Sequence, residues 1–195
     1  MNYYTADPHF GHGSILRFCN RPFRNVAEMD AHILAAYQLV MRPRDDLWIV
    51  GDFAFAKIDE AAKLESVLAA IPGRKHLVKG NHDKPWMTKL SGWHSVHDLI
   101  EVKECGYRLT LCHYPMLTFP GARHSAVQLF GHVHQNWRGS RNSVNVGVDV
   151  WNFRPATLPE ILARAQTLPV NPLWDEVEPG TDIQEADAGE GRIVL

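Results

Sequence analysis

The sequence has few cysteines, and their spacing does not indicate disulfide pairing or a metal-binding motif. Its 195 residues include three cysteines, Cys19, Cys105 and Cys112, and no Cys-x-x-Cys spacing. An odd number of dispersed cysteines argues against a disulfide framework and is typical of reduced, structural thiols. The cysteine content therefore predicts a protein of a reducing compartment.

The sequence also lacks long apolar runs and strong net charge. No run approaches the ~20 apolar residues that span a membrane. The chain opens with "MNYYTADPH", without a basic segment before an apolar core, so we expect neither signal peptide nor membrane association, and a location in the cytoplasm. The formal net charge of −2 argues against general electrostatic attraction to nucleic acid or anionic membranes.

The length and composition indicate one globular domain with an acidic end. A chain of 195 residues with 45% hydrophobic residues is long enough for one well-cored domain. From Asp175 onward, seven acidic residues stand against one arginine, with few large apolar residues. We predict a domain over residues 1–168 and a flexible acidic tail over residues 169–195.

The pattern of apolar segments predicts an α/β fold. The strands "NYYTA", "LWIV" and "KHLVKG" alternate with helices that begin at Asn25 and Asp59, which indicates parallel pairing through crossovers. The pattern then changes: "SVHDLIEVK" and "YRLTLCH" flank the turn "ECG", and "AVQLFG" and "SVNVGVDV" follow as strands. A capping box, Thr157 with Glu160, opens a last helix. We predict two mixed β-sheets packed face to face, with helices outside.

Five of these strands end in side chains that can bind a metal ion. Alone, each such cluster is typical of an ordinary turn or a surface histidine. Five of them at the carboxyl ends of strands, the edge where open α/β sheets place their sites, indicate a metal centre. Glycines before three of the clusters allow the backbones to approach closely. The clusters are Asp7-Pro8-His9, Gly51-Asp52, Gly80-Asn81-His82-Asp83, His113 and Gly131-His132-Val133-His134.

The series DPH, GD, GNHD, H and GHVH resembles the calcineurin-like metallophosphoesterase family, with all five blocks in the family's order. The resemblance spans Asp7 to His134 and implies a four-layer αββα sandwich with a two-metal site for phosphoester hydrolysis. It implies seven ligands, of which Asp52 bridges the two ions. The first ion would be held by Asp7, His9, Asp52 and His134, and the second by Asp52, Asn81, His113 and His132.

The ligand types narrow the choice of metal. Histidine, aspartate and asparagine without thiolate suit divalent or trivalent transition-metal ions rather than magnesium or calcium. We expect two such ions, manganese first, with iron, cobalt, nickel or zinc as alternatives.

The resemblance also implies the chemistry. A hydroxide bridging the two ions attacks phosphorus in line, and His82 protonates the leaving oxygen while Asp83 orients its ring. In the alternative, His82 binds the phosphate as a cation.

The segment "HFGHGSILRFCNRPFR" supplies candidates for substrate binding. His12 lies three residues after His9, and guanidinium groups suit phosphate recognition. Each of these residues is also explained by a surface turn or a solvated helix. The candidates are His12, Arg17, Arg21 and Arg24.

The expected function is phosphodiesterase or phosphatase activity on a small phosphorylated substrate, with small diesters such as cyclic nucleotides slightly favoured. One alternative is a nuclease acting on single-stranded nucleic acid, which would have a basic groove with exposed aromatic residues. Another is a catalytically retired scaffold for protein interaction, although no expected residue is missing. The oligomeric state stays open.

Overall fold

The computed structural model describes residues 1–178, apart from the side chain of Arg123. Its first sheet has five strands in the order β10-β1-β2-β3-β4. Strands β1 to β4 run parallel, as the alternation of strands and helices predicts, and β10 pairs antiparallel with β1. The strands are β1 (Asn2–Thr5), β2 (Asp46–Val50), β3 (Arg74–Val78), β4 (Trp93–His97) and β10 (Ala156–Thr157).

The second sheet has the order β5-β6-β7-β9-β8. Its inner strands β6, β7 and β9 are parallel to one another, while β5 and β8 pair antiparallel at the two edges. The strands are β5 (Ile100–Glu104), β6 (Tyr107–Leu111), β7 (Val127–Phe130), β8 (Gly139–Ser140) and β9 (Ser143–Asn145).

In the part of the chain that the structure describes, five α-helices accompany the sheets: α1 (Ile15–Phe18), α2 (Val26–Val40), α3 (Ala61–Ala70), α4 (Leu158–Thr167) and α5 (Trp174–Val177). The carboxamide of Asn25 accepts the N–H of Glu28 at 2.9 Å and caps α2, as predicted. A 3₁₀ turn, Ile58–Glu60, precedes α3, so Asp59 is not its cap. No helix within residues 1–178 has the length and apolar character needed to cross a membrane.

The core has two main layers because side chains of the first sheet alternate between its faces. On one face, residues such as Leu47, Ile49 and Leu77 pack against α2 and α3. On the other face, Trp48 and Val78 pack against the second sheet and α4. The fold is therefore the predicted α/β sandwich of two mixed sheets flanked by helices.

The segment "SVHDLIEVK" is not one strand. It divides at Asp98-Leu99, so that β4 completes the first sheet and β5 begins the second. The two-residue turn Cys105-Gly106, with φ of 49° and 84°, then joins β5 to β6 as the predicted hairpin. Similarly, "SVNVGVDV" is a strand only as far as Asn145 and continues as a 3₁₀ turn, Val148–Val150.

The predicted tail has a described part and a part outside the described residues. Trp174 of α5 is buried and packs against Phe119, Ala122 and Ala126, which lie in the connection between β6 and β7. Packing therefore continues past residue 168 to at least residue 177. Residues 179–195 lie outside the described residues, so their flexibility stays a prediction.

Candidate metal centre

The carboxyl ends of five strands meet at one place in the sandwich. β1, β2 and β3 of the first sheet lead to Asp7-Pro8-His9, to Asp52 and to Asn81-His82-Asp83. β6 and β7 of the second sheet lead to His113 and to His132-Val133-His134. Both oxygens of the Asp7 carboxylate accept the backbone N–H of His132, at 3.1 and 2.9 Å, which ties the two sheets together at this edge.

Two groups of side chains could each hold a metal ion, with ligand atoms that all lie within 4.8 Å of one another. The first group is Asp7, His9 and His134, and the second is Asp52, His113 and His132. Asn81 adjoins the second group, because its Oδ1 lies 3.2 Å from Nε2 of His113. The structure thus brings all seven proposed ligands to one edge of the sheets.

Asp52 lies between the two groups. Its Oδ2 is 3.6 Å from Nε2 of His9 in the first group and 3.4 Å from Nε2 of His113 in the second. Burial alone would raise the pKa of Asp52, but the neighbouring imidazoles, chiefly His113, and the N–H of His82 hold the pKa at about 2. The carboxylate is therefore charged and faces both groups.

Five of the proposed ligands have left-handed backbone conformations, which are uncommon for residues other than glycine. Such strain persists only where the surrounding structure enforces it, and it is concentrated at functional sites. The five are Asp7 (φ 55°), His9 (φ 53°), Asp52 (φ 53°), His132 (φ 70°) and His134 (φ 49°).

The glycines before the ligands allow close approach, as the sequence predicts. A Cβ on Gly51 would lie 2.2 Å from Nδ1 of His113, and Gly51 itself has a φ of 87°. A Cβ on Gly80 would lie 2.3 Å from Oδ1 of Asp52. Any larger residue at either position would displace a proposed ligand.

His9 carries the strongest sign that a cation belongs here. Its Nε2 is buried and has no hydrogen-bond partner among residues 1–178, whereas its Nδ1 lies 3.2 Å from Nδ1 of His12. Burial lowers the pKa of His9 well below its ordinary value, so the ring is neutral and Nε2 can keep a lone pair. Burial also raises the pKa of the adjacent Asp7 to about 6. A buried lone pair beside buried carboxylates fits a cation.

Two of the histidines are oriented through their other ring nitrogen, the usual arrangement for metal-binding histidines. Nδ1 of His113 lies 2.9 Å from the carbonyl oxygen of Val50. Nδ1 of His134 lies 2.7 Å from Oδ2 of Asp149. In both rings this leaves Nε2 for the site.

Asp149 was not among the residues predicted from the sequence. Burial would lower the pKa of His134, but its hydrogen bonds with Asp149 and Cys19 outweigh burial and raise the pKa to about 10. The carboxylate also accepts Nε and Nη2 of Arg21, at 2.8 and 2.9 Å. Cys19, His134 and Asp149 lie close enough to suggest a third metal group. However, the carboxylate oxygens of Asp149 are hydrogen-bonded to Arg21 and His134, so we interpret Asp149 as a residue that positions His134.

Arg21 is not a surface residue that binds phosphate. Its side chain is fully buried, and its Nη2 and Nη1 donate to the carbonyl oxygens of Asp7 and Pro8, at 2.7 and 3.0 Å. Because Nε and Nη2 also donate to the carboxylate of Asp149, the guanidinium group is not available to bind a substrate. Arg21 instead fixes the backbone that presents Asp7.

Asp83 does not orient the ring of His82. Its Oδ2 accepts the N–H groups of Asp52 and Gly80, both at 2.8 Å, and its Oδ1 accepts the N–H of Phe53 at 2.9 Å. This buried carboxylate therefore joins the loops after β2 and β3 and positions Asp52. The ring of His82 lies instead against those of His9, His12 and Phe55, with centroid separations of 5.4–6.0 Å.

The remaining substrate-binding candidates separate into two kinds. His12 is buried beside His9 and so adjoins the site. Arg24 is exposed and pairs with Glu28 at 3.0 Å. Arg17 is exposed, with its guanidinium carbon 5.3 Å from the centroid of the Phe18 ring. None of the contacts of Arg17 or Arg24 described for residues 1–178 joins them to the metal centre.

An uncharacterized protein of Methanocaldococcus jannaschii, MJ1445, is 32% identical to this chain over 167 residues, which cover 80% of this chain and 86% of that protein. This chain belongs to the MJ1445 family. No protein-family model matches the chain.

A solved structure agrees with the fold of this MJ1445-family protein. AQ665 of Aquifex aeolicus, a protein of unknown function, superposes with a TM-score of 0.68 at 26% identity, covering 83% of this chain and 97% of AQ665. The nuclease MPE of Pseudomonas putida has a TM-score of 0.45 at 23% identity, covering 68% and 61%. The phosphoesterase Yfce of E. coli has a TM-score of 0.39 at 18% identity, covering 75% and 77%. The last two likenesses are too low to carry an argument.

Proposed function

We propose that this protein is a calcineurin-like, binuclear metal-dependent phosphoester hydrolase. The observation that supports this best is the position of Asp52, whose Oδ2 lies 3.6 Å from Nε2 of His9 and 3.4 Å from Nε2 of His113. Each of these nitrogens belongs to a separate ligand group. A carboxylate placed in this way can be shared by two cations that lie ~3.5–4 Å apart, the spacing of two-metal phosphoesterases.

Two divalent ions, when bound, would hold the phosphate oxygens, offset the charge that develops on them and lower the pKa of a water that attacks phosphorus. The mixed ligand set of histidine, aspartate and asparagine, with no thiolate, suits a first-row transition metal, and manganese is the ion that we propose first.

His82 is the candidate proton donor. Its side chain is one-third exposed, and its Nε2 lies 4.0 Å from Oδ2 of Asp52, so it faces both solvent and the metal centre. A leaving oxygen held beside the centre would come within reach of this nitrogen. The rings of His12 and Phe55, and not Asp83, limit how far the imidazole can turn.

A panel of substrates tests the proposal. Protein stripped with a chelator and reloaded with manganese should bind close to two equivalents of metal and hydrolyse at least one class among phosphomonoesters, cyclic nucleotides and linear diesters. The matched control is Asp52→Asn, which should lose activity on every class. Metal binding without hydrolysis of any class would favour the scaffold alternative and reject the proposal.

A further inference from the structure

A cleft opens from the proposed metal centre on the side of His82. It has a volume of about 620 Å³, and its walls include His12, Phe55 and His82. The rings of His12 and His82 lie 5.1 and 5.4 Å from the ring of His9, which belongs to the first ligand group. A molecule in the cleft would therefore lie next to the candidate proton donor, on the leaving-group side of the centre.

Phe55 in this cleft and Phe18 beside it are unusual in their exposure. Of the eight phenylalanines in the chain, all within residues 1–178, two are exposed: Phe18 (64%) and Phe55 (46%). Both adjoin His12, which stacks on Phe55 at 4.3 Å with an interplanar angle of 18° and meets Phe18 edge-on at 6.5 Å. Exposed phenyl rings grouped at a site are typical of surfaces that stack flat ligands.

The charges around the cleft suit an anion beyond the metal centre. The side chains of Lys57 and Lys84 are exposed and line the cleft. Glu60 also lines it, and its carboxylate accepts the backbone N–H of Lys57 at 3.0 Å, so two ammonium groups stand against one carboxylate. Two flexible ammonium groups beside an aromatic surface combine the features that bind the phosphates and the bases of nucleic acids.

We propose that this cleft binds a nucleobase of the leaving group by stacking on Phe55, which makes nucleotide esters the substrate class. The inference rests on the proposed function, because the metal centre would hold the ester that the base is attached to. Lys57 and Lys84 would contact a further phosphate of the same substrate. The base could come from a mononucleotide or from the end of a single-stranded polynucleotide.

Binding of a fluorescent nucleotide tests the cleft without relying on catalysis. The probe is 2-aminopurine riboside monophosphate, whose emission falls when the base stacks, added to manganese-loaded protein. Its affinity should exceed that of inorganic phosphate by about tenfold or more, as expected for one stacked base. Phe55→Ala should remove about that factor, Phe55→Trp should retain it, and phosphate should bind all forms equally. Leu39→Ala, an exposed apolar residue on α2, is the matched control and should behave as the wild type.

Equal binding of the probe by wild-type protein and Phe55→Ala would overturn the proposal, as would a nucleotide affinity no higher than that of phosphate. Phe55-dependent binding without hydrolysis of any ester would reject the proposed function and leave the base site standing. A short single-stranded oligonucleotide with terminal 2-aminopurine distinguishes the sources. If the oligonucleotide binds more tightly than the mononucleotide, in a salt-sensitive way that weakens in Lys57→Ala, the substrate is a polynucleotide. If the two affinities are equal, the substrate is a mononucleotide ester.

Discussion

His134 and Asp149 are joined by a hydrogen bond of 2.7 Å between Nδ1 and Oδ2, and the same carboxylate is held by Arg21. The bond fixes the ring so that Nε2 faces Asp7 and His9, the other members of the first ligand group. The side chains of Arg21, Asp149 and His134 therefore form a hydrogen-bonded series that ends at the proposed metal centre.

Asp149→Asn should weaken metal binding at the first group by about 10–100-fold, the usual effect of removing the partner of a metal-binding histidine. An amide cannot serve both Arg21 and His134 as a carboxylate does. Competition with a chelating dye would measure the affinity, and Asp59→Asn, at an exposed position, is the control. An unchanged metal affinity in folded Asp149→Asn would show that the hydrogen bond between Asp149 and His134 does not influence metal binding.

Asp52→Asn should impair both metal positions, whereas His9→Ala should chiefly weaken one. The reason is that Asp52 alone among the proposed ligands faces both groups, and its charge offsets the repulsion between two cations. Elemental analysis of the purified variants measures the metal content. Two full equivalents in Asp52→Asn would contradict the bridging assignment.

His82→Ala should keep both metals and lose roughly 10²–10⁴-fold in activity on an alkyl phosphodiester, because an alkoxide needs a proton to leave. The loss on a nitrophenyl ester should be much smaller, since nitrophenolate leaves unaided. The backbone N–H that donates to Oδ1 of Asp52 at 2.8 Å survives in the variant, so the metal site should not collapse. Equal losses on both esters, with metal retained, would make His82 an electrostatic clamp on the phosphate.

Stability of the metal-free protein should fall as the pH drops below about 6.5, in part through His76. Burial lowers the pKa of His76, and its bond with Asp46, at 2.9 Å, offsets burial only in part. The unfolded chain therefore binds a proton at a pH where the folded state does not, and acid favours unfolding. Urea titrations at pH 7.5 and 5.5 should show a smaller pH effect in His76→Gln. The same change at His124, which is exposed and lies between β6 and β7, should leave the pH effect as it is in the wild type.

Truncation after residue 178 should leave the melting temperature nearly unchanged, since the removed residues are acidic with little to bury. Truncation after residue 168 should lower it, because Trp174 packs against Phe119, Ala122 and Ala126. Differential scanning calorimetry compares the two forms. If truncation after residue 178 lowers the melting temperature, residues 179–195 contribute contacts that their composition does not indicate.

Much of the fold could be predicted because its first half alternates regularly. The apolar runs of β1, β2 and β3 are separated by helical patterns, which determines their parallel pairing. The segment from Ser95 to Lys103 could not be divided correctly, because Asp98 interrupts it without glycine or proline. The place where a chain leaves one sheet for another depends on packing between the sheets, which local pattern does not contain.

The location of the candidate site could be predicted from the strand ends, but the residues that position its proposed ligands could not. Asp149 lies in the apolar run "VNVGVDVW", a pattern that predicts a strand. A lone acid in such a run is a signal of a buried partner, because a buried charge must be paired. The partner, Arg21, lies 128 positions away, and no local pattern connects the two. The position of Asp83 in the sequence suggests a bond with its neighbour His82, whereas its carboxylate accepts the backbone N–H of Asp52 in the loop after β2.

The proposed metal centre combines residues that lie far apart in the sequence, and this has a consequence for its synthesis. Asp7 and His132, which are joined in the structure, lie 125 positions apart. At roughly 5–20 residues per second, a ribosome takes about 6–25 s to translate the 125 positions between them. During that time the growing chain lacks His132 and His134, so neither ligand group is complete. The proposed ions would therefore be acquired after translation of the domain, so the metals available to the released protein, and not those near the ribosome, would determine which ion it carries.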